Sequence, residues 1–575
     1  DVVDIDGAVD MASTLTVAGA VDFNGNLDVD GGTIKLDGNY PNGVNNVALG
    51  NTALDTASGS NGYSVAIGTN ALTAMTTGGS NVAVGFASGT AITSGGNNIA
   101  VGSEALDATT TGGNNVAVGS AALGANTTAS NNTAVGHQAG NAVTTGTFNT
   151  LIGAGAGDVL TTSSHNTSLG YNALGADTLG SKSTALGRSA LGSQNFTSAT
   201  DTYNTAVGYD AGNAVTTGIN NTFIGGLAGD ANTTGASNTA VGSGSLGANT
   251  TANDNTAVGR NSLTANTTGA GNTGVGGSVL GANTTGASLS ALGAFALDAN
   301  TTGASNTAVG YASLGSNTTA SNNTAVGFAA GTAVTTGANN TLIGGLAGDA
   351  LTDADSNIAI GYQALSSDTL GSNSVAIGTQ ALVSQNFTSA SDVYNVAVGH
   401  RAGLAVTTGT KNTLIGGLAG DALTTGIVNV AVGYQALSSD TAGKRSVAIG
   451  NGALFAQNFT SATDTYNTAV GEAAGTAVTT GIQNTLIGGQ AGDALTDADG
   501  NTAVGWLALS TDTLGSASTA IGRAALANQR TSSAADKFNT AVGYNAGLEV
   551  TTSIQNTLIG ALAGDALTTG SENTA

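Results

Sequence analysis

The sequence contains no cysteine and only one proline, and each shortage excludes a class of protein. Without cysteine the chain has neither disulfides nor thiolate metal sites, so its stability does not depend on the redox state of its compartment. A single proline among 575 residues, with no Gly-X-Y period, excludes collagen. We therefore expect a fold held by packing and hydrogen bonds alone, with no cofactor.

Charge is also scarce, and one sign dominates it. Only 8% of the residues are charged, and 11 Lys and Arg against 35 Asp and Glu give a formal charge of −24. Nucleic acid and anionic membranes require clustered basic side chains, so neither is an expected partner. No apolar run approaches the ~20 residues that cross a bilayer, which predicts no membrane insertion in this segment. A hydrophobic content of 40% is too high for a disordered linker.

Glycine, in contrast, is abundant and periodic. The repeat is typified by residues 306–322, NTAVGYASLGSNTTASN, in which a central Gly follows Val, Ile or Leu. This central Gly recurs about thirty times at a spacing of seventeen, apart from one step of eighteen and four of twenty-one. Such a period is typical of stacked units. It predicts an all-β chain, a parallel β-roll or β-solenoid of about thirty 17-residue turns over residues 44–575.

Residues 1–43 differ from the repeats. Apolar and polar residues alternate there between Gly-centred turns, which predicts a separate N-terminal region of short strands, a shaft or junction. The pairs Asp4/Asp6 and Asp28/Asp30 have calcium-loop spacing but lack further ligands, so solvated turn carboxylates are the preferred interpretation. Because the sequence begins without Met and stops inside a repeat, we expect it to be part of a longer protein.

The residues before the central Gly predict a strand with two apolar faces. Thr307 and Val309 are β-branched and lie on one face, while Ala308 between them lies on the other. Both faces are therefore predicted to be buried. A single coil has one inside, so the second face needs a cover, and the simplest cover is another copy of the chain.

Two other positions vary together. Four residues after the central Gly stands either Leu or Gly; three residues further on, the residue is mostly polar after Leu and apolar after Gly. Leu314 with Asn317 and Gly331 with Val334 show the two cases. This pattern predicts one interior pocket per turn, filled from either position. The Asn that opens most repeats, such as Asn306, predicts a ladder of side-chain amides along the axis.

The residue directly after the central Gly is the first candidate for surface recognition. Its type varies widely between turns, as only solvent tolerates, so the chain is expected to change direction at the Gly. Exposed aromatic rings at this position offer flat faces to sugars, which predicts a host cell-surface glycan or protein as partner; shielding of the roll's edge is the alternative interpretation. These residues are Tyr171, Tyr209, Tyr311, Tyr362, Tyr434, Trp506 and Tyr544.

A larger cycle of four turns supplies the second set of candidates. The last turn of each cycle carries a four-residue insertion, and insertions in repeat proteins form loops that often bind ligands. Their aromatic residues are therefore either recognition residues or clips packed back onto the roll. They are Phe196, Tyr203, Phe387, Tyr394, Phe459 and Tyr466, with Arg530 and Phe538 in a variant copy.

The repeats resemble a known family. SVAIG at residues 64–68, 374–378 and 446–450, with NTAVG and NVAVG variants, resembles the head repeat of trimeric autotransporter adhesins. That resemblance implies a left-handed parallel β-roll in an intertwined or side-by-side homotrimer. The stretch GGTIKLDGNYPNGVNNVALG at 31–50 is similar to bacteriophage tail fibres, which carry similar repeats. The resemblance therefore favours a virion tail fibre for host attachment, with an adhesin head or other extracellular surface filament as the alternative.

An enzyme is not expected. His137, His165 and His400 stand at unrelated points of the repeat, and no metalloprotease, nucleophile-elbow or phosphate-loop motif is present.

Two other binding functions are less favoured. Acidic turns such as Asp349, Asp353 and Asp355 are interpreted as solvated turns, with a weak cation site as the alternative. An ice-binding solenoid would present a Thr-x-Thr grid, but the Thr residues here are mostly adjacent, as in Thr318 and Thr319.

Overall fold

The computed structural model describes residues 45–57 and 62–575, and this part of the chain is all-β without a helix. Thirty strands form one sheet in which each strand pairs parallel and in register with the equivalent strand of the next turn. Val309, for example, lies between Leu292 and Val326 of the adjacent turns. The predicted parallel β-solenoid is confirmed. Residues 1–43, with their predicted short strands and Asp pairs, lie outside the described residues.

Each strand of this main sheet has three residues and ends at the central Gly. The strands are Val47–Leu49, Val65–Ile67, Val82–Val84, Ile99–Val101, Val116–Val118, Thr133–Val135, Thr150–Ile152, Thr167–Leu169, Thr184–Leu186, Thr205–Val207, Thr222–Ile224, Thr239–Val241, Thr256–Val258, Thr273–Val275, Ser290–Leu292, Thr307–Val309, Thr324–Val326, Thr341–Ile343, Ile358–Ile360, Val375–Ile377, Val396–Val398, Thr413–Ile415, Val430–Val432, Val447–Ile449, Thr468–Val470, Thr485–Ile487, Thr502–Val504, Thr519–Ile521, Thr540–Val542 and Thr557–Ile559.

Each insertion adds a small parallel sheet of two strands. The pairs are Gly180–Ser181 with Thr200–Asp201, Gly371–Ser372 with Ser391–Asp392, Gly443–Lys444 with Thr463–Asp464, and Gly515–Ser516 with Ala535–Asp536.

The two faces of the main sheet are unequal. Ala308 is fully buried, whereas Thr307 and Val309 are partly exposed on the outer face. The chain itself therefore buries the inner face, whereas the predicted cover of the second face by another copy of the chain stays a prediction. An outward side chain is contacted along the solenoid axis by the equivalent residues of the two neighbouring turns. Within the described part of a single chain, no further layer packs onto this outer face. The other buried side chains of this turn are Asn306, Ser313, Leu314, Asn317 and Ala320.

The central Gly is required by both conformation and packing. These glycines have φ between +124° and +145°, a region that other residues rarely adopt. A Cβ on Gly310 would also collide with the backbone carbonyl of Gly327 in the next turn. The predicted change of direction at this residue is confirmed.

The choice between Leu and Gly four residues later has a backbone cause as well. The position is left-handed in both cases, with φ of +48° at Leu314 and +59° at Gly331. Glycine adopts this conformation without strain, whereas Leu pays a small conformational penalty in exchange for filling the interior.

The predicted shared pocket is confirmed and has a third contributor. A Cβ on Gly140 would lie 3.5 Å from Val143 of its own turn and 3.0 Å from Leu123 of the previous turn. It would also lie 2.6 Å from Leu151, the inward strand residue of the next turn. Interior volume is therefore kept roughly constant by three positions in three successive turns.

The predicted amide ladder is confirmed. The side-chain oxygen of Asn115 accepts a 3.0 Å hydrogen bond from the backbone N–H of Asn132, and its amide donates a 2.9 Å bond to the carbonyl of Ala129. Where Ser183 replaces Asn, Gln194 donates to the Ser hydroxyl at 2.9 Å and accepts from Asn204 at 2.8 Å. The longer Gln side chain thus restores the missing rung.

A second ladder lies wholly inside the solenoid. At the position three residues after the interior Leu, each Asn amide donates to the side-chain oxygen of the preceding turn at 2.6–3.1 Å. Its rungs are Asn232, Asn249, Asn266, Asn283, Asn300 and Asn317. These Asn residues occupy the position that is predicted to be polar where Leu fills the pocket, and they are buried and hydrogen-bonded to one another.

Candidate attachment surfaces

The outer face of the main sheet, called here the strand face, is an uncharged ribbon along the whole solenoid. The residue before the central Gly is Val, Ile or Leu in every turn, and the residue two positions earlier is Thr, Ser, Val or Ile. Several of these aliphatic side chains are exposed, among them Ile224, Leu292 and Ile415. At ~4.8 Å per turn and ~7 Å between the two outward residues, the face covers roughly 1,000 Å². One of its two columns is aliphatic in every turn and the other is mostly Thr, and such a continuous uncharged surface is a candidate interaction site.

The predicted aromatic residues after the central Gly, called here the aromatic strip, are all at the surface. Tyr171, Tyr209, Tyr311, Tyr362, Tyr434, Trp506 and Tyr544 are between 48% and 62% exposed. Phe86 and Phe328 occupy the same position and are exposed as well, although sequence analysis did not select them. Their position after Gly85 and Gly327 was the signal that could have found them.

Several rings of the strip are already covered by neighbours. Tyr311 stacks on Phe328 with ring centroids 5.7 Å apart and meets Phe295 edge-on at 5.8 Å. The guanidinium of Arg188 lies 5.1 Å from the ring centroid of Tyr209, and that of Arg523 lies 5.3 Å from that of Tyr544. These contacts favour the interpretation that part of the strip shields the edge of the roll.

Three rings instead lie beside a glycine of the preceding turn, an arrangement called here a notch. A Cβ on Gly345 would lie 3.6 Å from Tyr362, on Gly417 3.5 Å from Tyr434, and on Gly489 3.4 Å from Trp506. The equivalent residues one turn earlier are Phe328, His400 and Glu472. Each notch therefore has a ring on one side, a glycine floor and a larger side chain on the other.

The notch at Trp506 is the most developed. A cleft of ≈ 260 Å³ is lined by Glu472, Ala473, Gly489, Gln490 and Trp506. One side of the indole is backed by Arg523, whose guanidinium lies 4.8 Å from the ring centroid. An aromatic face next to a carboxylate and an amide can stack on a sugar ring and hydrogen-bond its hydroxyls.

The insertion loops are divided between packing and exposure. Phe196, Phe387 and Phe459 are only 6% to 9% exposed, so these three predicted recognition residues are clips packed onto the roll. Tyr203, Tyr394 and Tyr466 are exposed, as is Phe538. The Phe rings are buried because they fill the space beneath the loop.

A buried carboxylate holds each clip. Asp177 accepts hydrogen bonds from the N–H of Gly180 at 3.0 Å, from that of Phe196 at 3.3 Å, and from the amide of Gln194 at 2.6 Å. Equivalent bonds join Asp368 to Gln385, Asp440 to Gln457 and Asp512 to Gln529. Burial raises the pKa of Asp177 and of Asp440, because it disfavours the charged form more than these donors favour it.

The exposed rings of Tyr203 and Tyr466 in the insertion loops are each contacted by a basic side chain. Lys182 donates 2.7 Å and 3.0 Å hydrogen bonds to Asp201 and to the hydroxyl of Tyr203, which raises the pKa of Lys182 to about 12. Arg445 lies 5.5 Å from the ring centroid of Tyr466 and pairs with Asp464 at 3.2 Å. These rings are partly occupied, which leaves the notches as the more open aromatic surfaces.

The acidic turns bond to the preceding turn. Thr336 donates to Asp353 at 2.5 Å, and the N–H of Ala338 donates to Asp355 at 2.6 Å. Asp349 is half-buried, and burial raises its pKa. Within residues 45–57 and 62–575, no three His, Asp or Glu residues come together as a metal site would require.

The remaining predicted residues lie apart from one another. The imidazole of His165 stacks on Phe148 with ring centroids 5.1 Å apart. Thr318 donates its hydroxyl to the carbonyl of Thr335 at 3.1 Å, while Thr319 is exposed in a bend rather than on a strand.

Comparison with known proteins adds no relative: no protein-family model matches the chain, and no curated protein matches it. The part of the chain that the structure describes contains no helix that could span a bilayer.

Proposed function

We propose that the chain is the shaft of an extracellular attachment fibre, a homotrimeric tail fibre of a virion that presents a repetitive surface to a host cell. The observation that carries the proposal is the strand face, an uncharged ribbon of aliphatic and Thr side chains that continues through all thirty strands of one sheet. The resemblance of residues 31–50 to tail fibres favours a virion over a bacterial cell surface.

The chains would associate side by side. The backbone N–H of Thr307 donates to Asn323 of the next turn at 2.8 Å, and that of Gly310 donates to Leu292 of the previous turn at 2.7 Å. Because each chain satisfies its strand hydrogen bonds with its own turns, a partner has to pack through side chains. This argument favours the side-by-side over the intertwined form of the trimer.

The strand face has the size and composition that self-association needs. Roughly 1,000 Å² per chain exceeds the ~800 Å² that each partner buries in a standard interface. A second copy has the same repeat along its axis, so aliphatic rungs of two chains can interlock over their full length. Three such faces can meet on a common axis, and the absence of charged side chains from the described strand-face positions means that no ion needs to be desolvated there.

The notches supply the attachment function. Those at Tyr362, Tyr434 and Trp506 are separated by four turns, about 19 Å along the axis. Three chains would present nine of them, so contacts that are weak individually could add through multivalency. A neutral sugar of a host surface glycan fits the ring, carboxylate and amide of the Trp506 notch.

The proposal is tested by measuring assembly. Sedimentation equilibrium should give three times the 54.7 kDa chain mass, and electron microscopy should show rods of roughly 140 Å for the repeats. Antibodies against the repeats should label purified virions along a fibre. A monomer at micromolar concentration would contradict the trimer, and labelling of bacterial surfaces instead of virions would contradict the tail-fibre assignment.

A further inference from the structure

The fourth insertion loop differs from each of the other three at six of the eleven positions from Gln529 to Asn539, and three of these differences change charge or remove a ring. In the third loop Asn458, Phe459 and Thr465 stand where the fourth has Arg530, Thr531 and Lys537. The buried hydrogen bond from the side-chain amide of Gln529 to the carboxylate of Asp512 is nevertheless kept. The changes therefore remove one aromatic ring and add two positive charges without altering the framework of the loop.

Loss of the ring opens a cleft. In the sister loops Phe196, Phe387 and Phe459 are buried, whereas the fourth loop borders a cleft of ≈ 420 Å³. Besides Arg530 and Thr531, its walls are Ala494, Ser510, Thr511, Thr513, Ser532 and Thr552. The volume lies within the ~300–1,000 Å³ of small-molecule sites, and hydroxyl groups dominate the polar lining.

The two added cations lack anionic partners. Within the described residues, neither Arg530 nor Lys537 lies within salt-bridge distance of a carboxylate. Lys537 is only 6% exposed, and the hydrogen bond of its ammonium is a 3.3 Å contact to the carbonyl of Thr552, a residue of the cleft. A buried ammonium without a counter-ion is unfavourable, so an anion in the cleft would stabilise it.

The hydroxyl of Thr531 points to the same conclusion. It is buried and has no hydrogen-bond partner among the described residues, although the Phe it replaces would leave no polar atom there. A loop that gives up apolar packing for unpaired polar groups is not optimised for stability, and such departures are expected at binding sites.

We propose that this cleft binds a carboxylate-bearing sugar. The forked guanidinium of Arg530 matches a carboxylate, Lys537 adds positive potential beside Thr552, and the Ser and Thr hydroxyls match sugar hydroxyls. The choice of sugars among carboxylates rests on the proposed attachment function; the binding of an organic anion does not. The site is separate from the notches, which suit neutral sugars.

The test is a titration of the whole chain with D-glucuronic acid, D-glucose and inorganic phosphate, followed by saturation-transfer NMR and calorimetry. Glucuronic acid should bind at least tenfold more tightly than glucose or phosphate, with one site per chain. The triple variant R530N/T531F/K537T, which gives the fourth loop the residues of the third at these three positions, should lose this binding and melt no lower than the parent. Arg530→Gln, which leaves the cleft open, should lose most of it.

A reciprocal variant gives a gain of function. N458R/F459T/T465K places the ring loss and the two cations of the fourth loop in the third and should raise the stoichiometry from one site to two. Unchanged binding in the triple variant or in Arg530→Gln would overturn the proposal, as would glucose binding as tightly as glucuronic acid. Equal affinity for phosphate would show an anion site without preference for sugars and would overturn the assigned ligand class. The notch variants described below leave this cleft intact, so failure of one proposal is distinguishable from failure of the other.

Discussion

The side-chain amide of Gln457 donates a 2.7 Å hydrogen bond to the carboxylate of Asp440 in the preceding turn, inside the solenoid. The same carboxylate accepts from the backbone N–H of Gly443 at 3.1 Å and from that of Phe459 at 3.0 Å. One buried Asp thus fixes the turn that precedes the insertion and the loop that follows it. The four-turn cycle of the sequence has its structural cause in this pair.

The first prediction concerns the buried carboxylate of Asp440. Asp440→Ala leaves three buried donors without an acceptor, and each such loss costs roughly 1–3 kcal/mol. We expect hydrogen exchange and protease cleavage to increase within residues 440–467, because neighbouring turns are supported separately in a solenoid. The control is Asp464→Ala, which removes an exposed carboxylate of the same loop and should cost at most about 1 kcal/mol. Equal effects of the two changes would contradict the role of the Asp440 carboxylate in fixing the loop.

The second prediction concerns pH. Burial raises the pKa of several Asp residues above the ordinary carboxyl value of 3.8, namely Asp107, Asp158, Asp177, Asp230, Asp298, Asp349, Asp421, Asp440 and Asp493. A pKa that is higher in the folded than in the unfolded state adds stability below the unfolded pKa and loses it as pH rises through the folded pKa. The melting temperature should therefore rise as pH falls from neutral toward 3.8. A fall over that range would contradict the prediction.

A neutral variant checks the cause of this pH dependence. Asp349, Asp421 and Asp493 are half-buried, and each has a side-chain oxygen without a hydrogen-bond partner among the described residues. Replacing all three by Asn should raise the melting temperature at neutral pH and flatten its dependence on pH. The exposed Asp201, Asp392 and Asp464, changed to Asn, are the matched control and should leave the slope nearly unchanged.

Some of this architecture was predictable from residue types, and some was not. The central Gly and the strands repeat in every turn and the Asn306 ladder in most turns, so their period and chemistry indicated them directly. The covariation of Leu314 with Asn317 revealed a shared pocket but not its third member, because a strand residue such as Leu151 reaches Gly140 of the preceding turn as well as Gly157 of its own turn. The predicted cover of Val309 by another chain stays a prediction, because an apolar strand residue has the same pattern whether it faces a core, a partner or an open surface.

The candidate site was predicted in part for a similar reason. The variable position after the Gly correctly indicated exposed rings such as Tyr434. The burial of Phe459 depends on the shape of its loop, which residue types do not specify. The notches depend on which residue stands seventeen positions earlier, a relationship between turns that becomes visible once the stacking register is known.

The third prediction concerns the shared pocket. Leu314→Ala should cost about 2–5 kcal/mol by opening a cavity. Leu314→Gly with Asn317→Ile reproduces the natural pair Gly89 and Ile92 and should recover much of that loss, because Gly relieves the left-handed backbone and Ile refills the space. Local protease resistance and thermal melting are the measurements. No recovery in the double variant would show that the two positions do not share one space.

The fourth prediction concerns the strand face. Val241, Val275 and Val309 lie in alternate turns, so replacing all three by Lys places charges on the face without stacking them in adjacent strands. Desolvating these ammonium groups in a trimer costs far more than exposing them on a single chain. We expect dissociation to monomers that keep their β-sheet circular dichroism. Lys at Thr251, Thr285 and Thr319, exposed positions elsewhere in the same three turns, should leave the trimer intact; dissociation of that control would contradict assembly through the strand face.

The last prediction separates recognition from shielding along the aromatic strip. Replacing Tyr362, Tyr434 and Trp506 by Ser removes the three notches, and the melting temperature should hardly change because exposed substitutions usually alter stability by at most ~0.5 kcal/mol each. Attachment to host cells, or to their surface glycans on an array, should fall severalfold, and more steeply for the full fibre than for a single notch because the contacts are multivalent.

The control replaces Tyr209, Tyr311 and Tyr544, whose rings are covered by Arg188, Phe328 and Arg523. If open ring faces bind sugars, this control should retain most of the attachment, since its rings are already occupied by protein neighbours. Equal losses of attachment in the two sets of variants would indicate that the aromatic strip acts by nonspecific adhesion. Undiminished attachment in both would show that the rings only shield the edge of the roll.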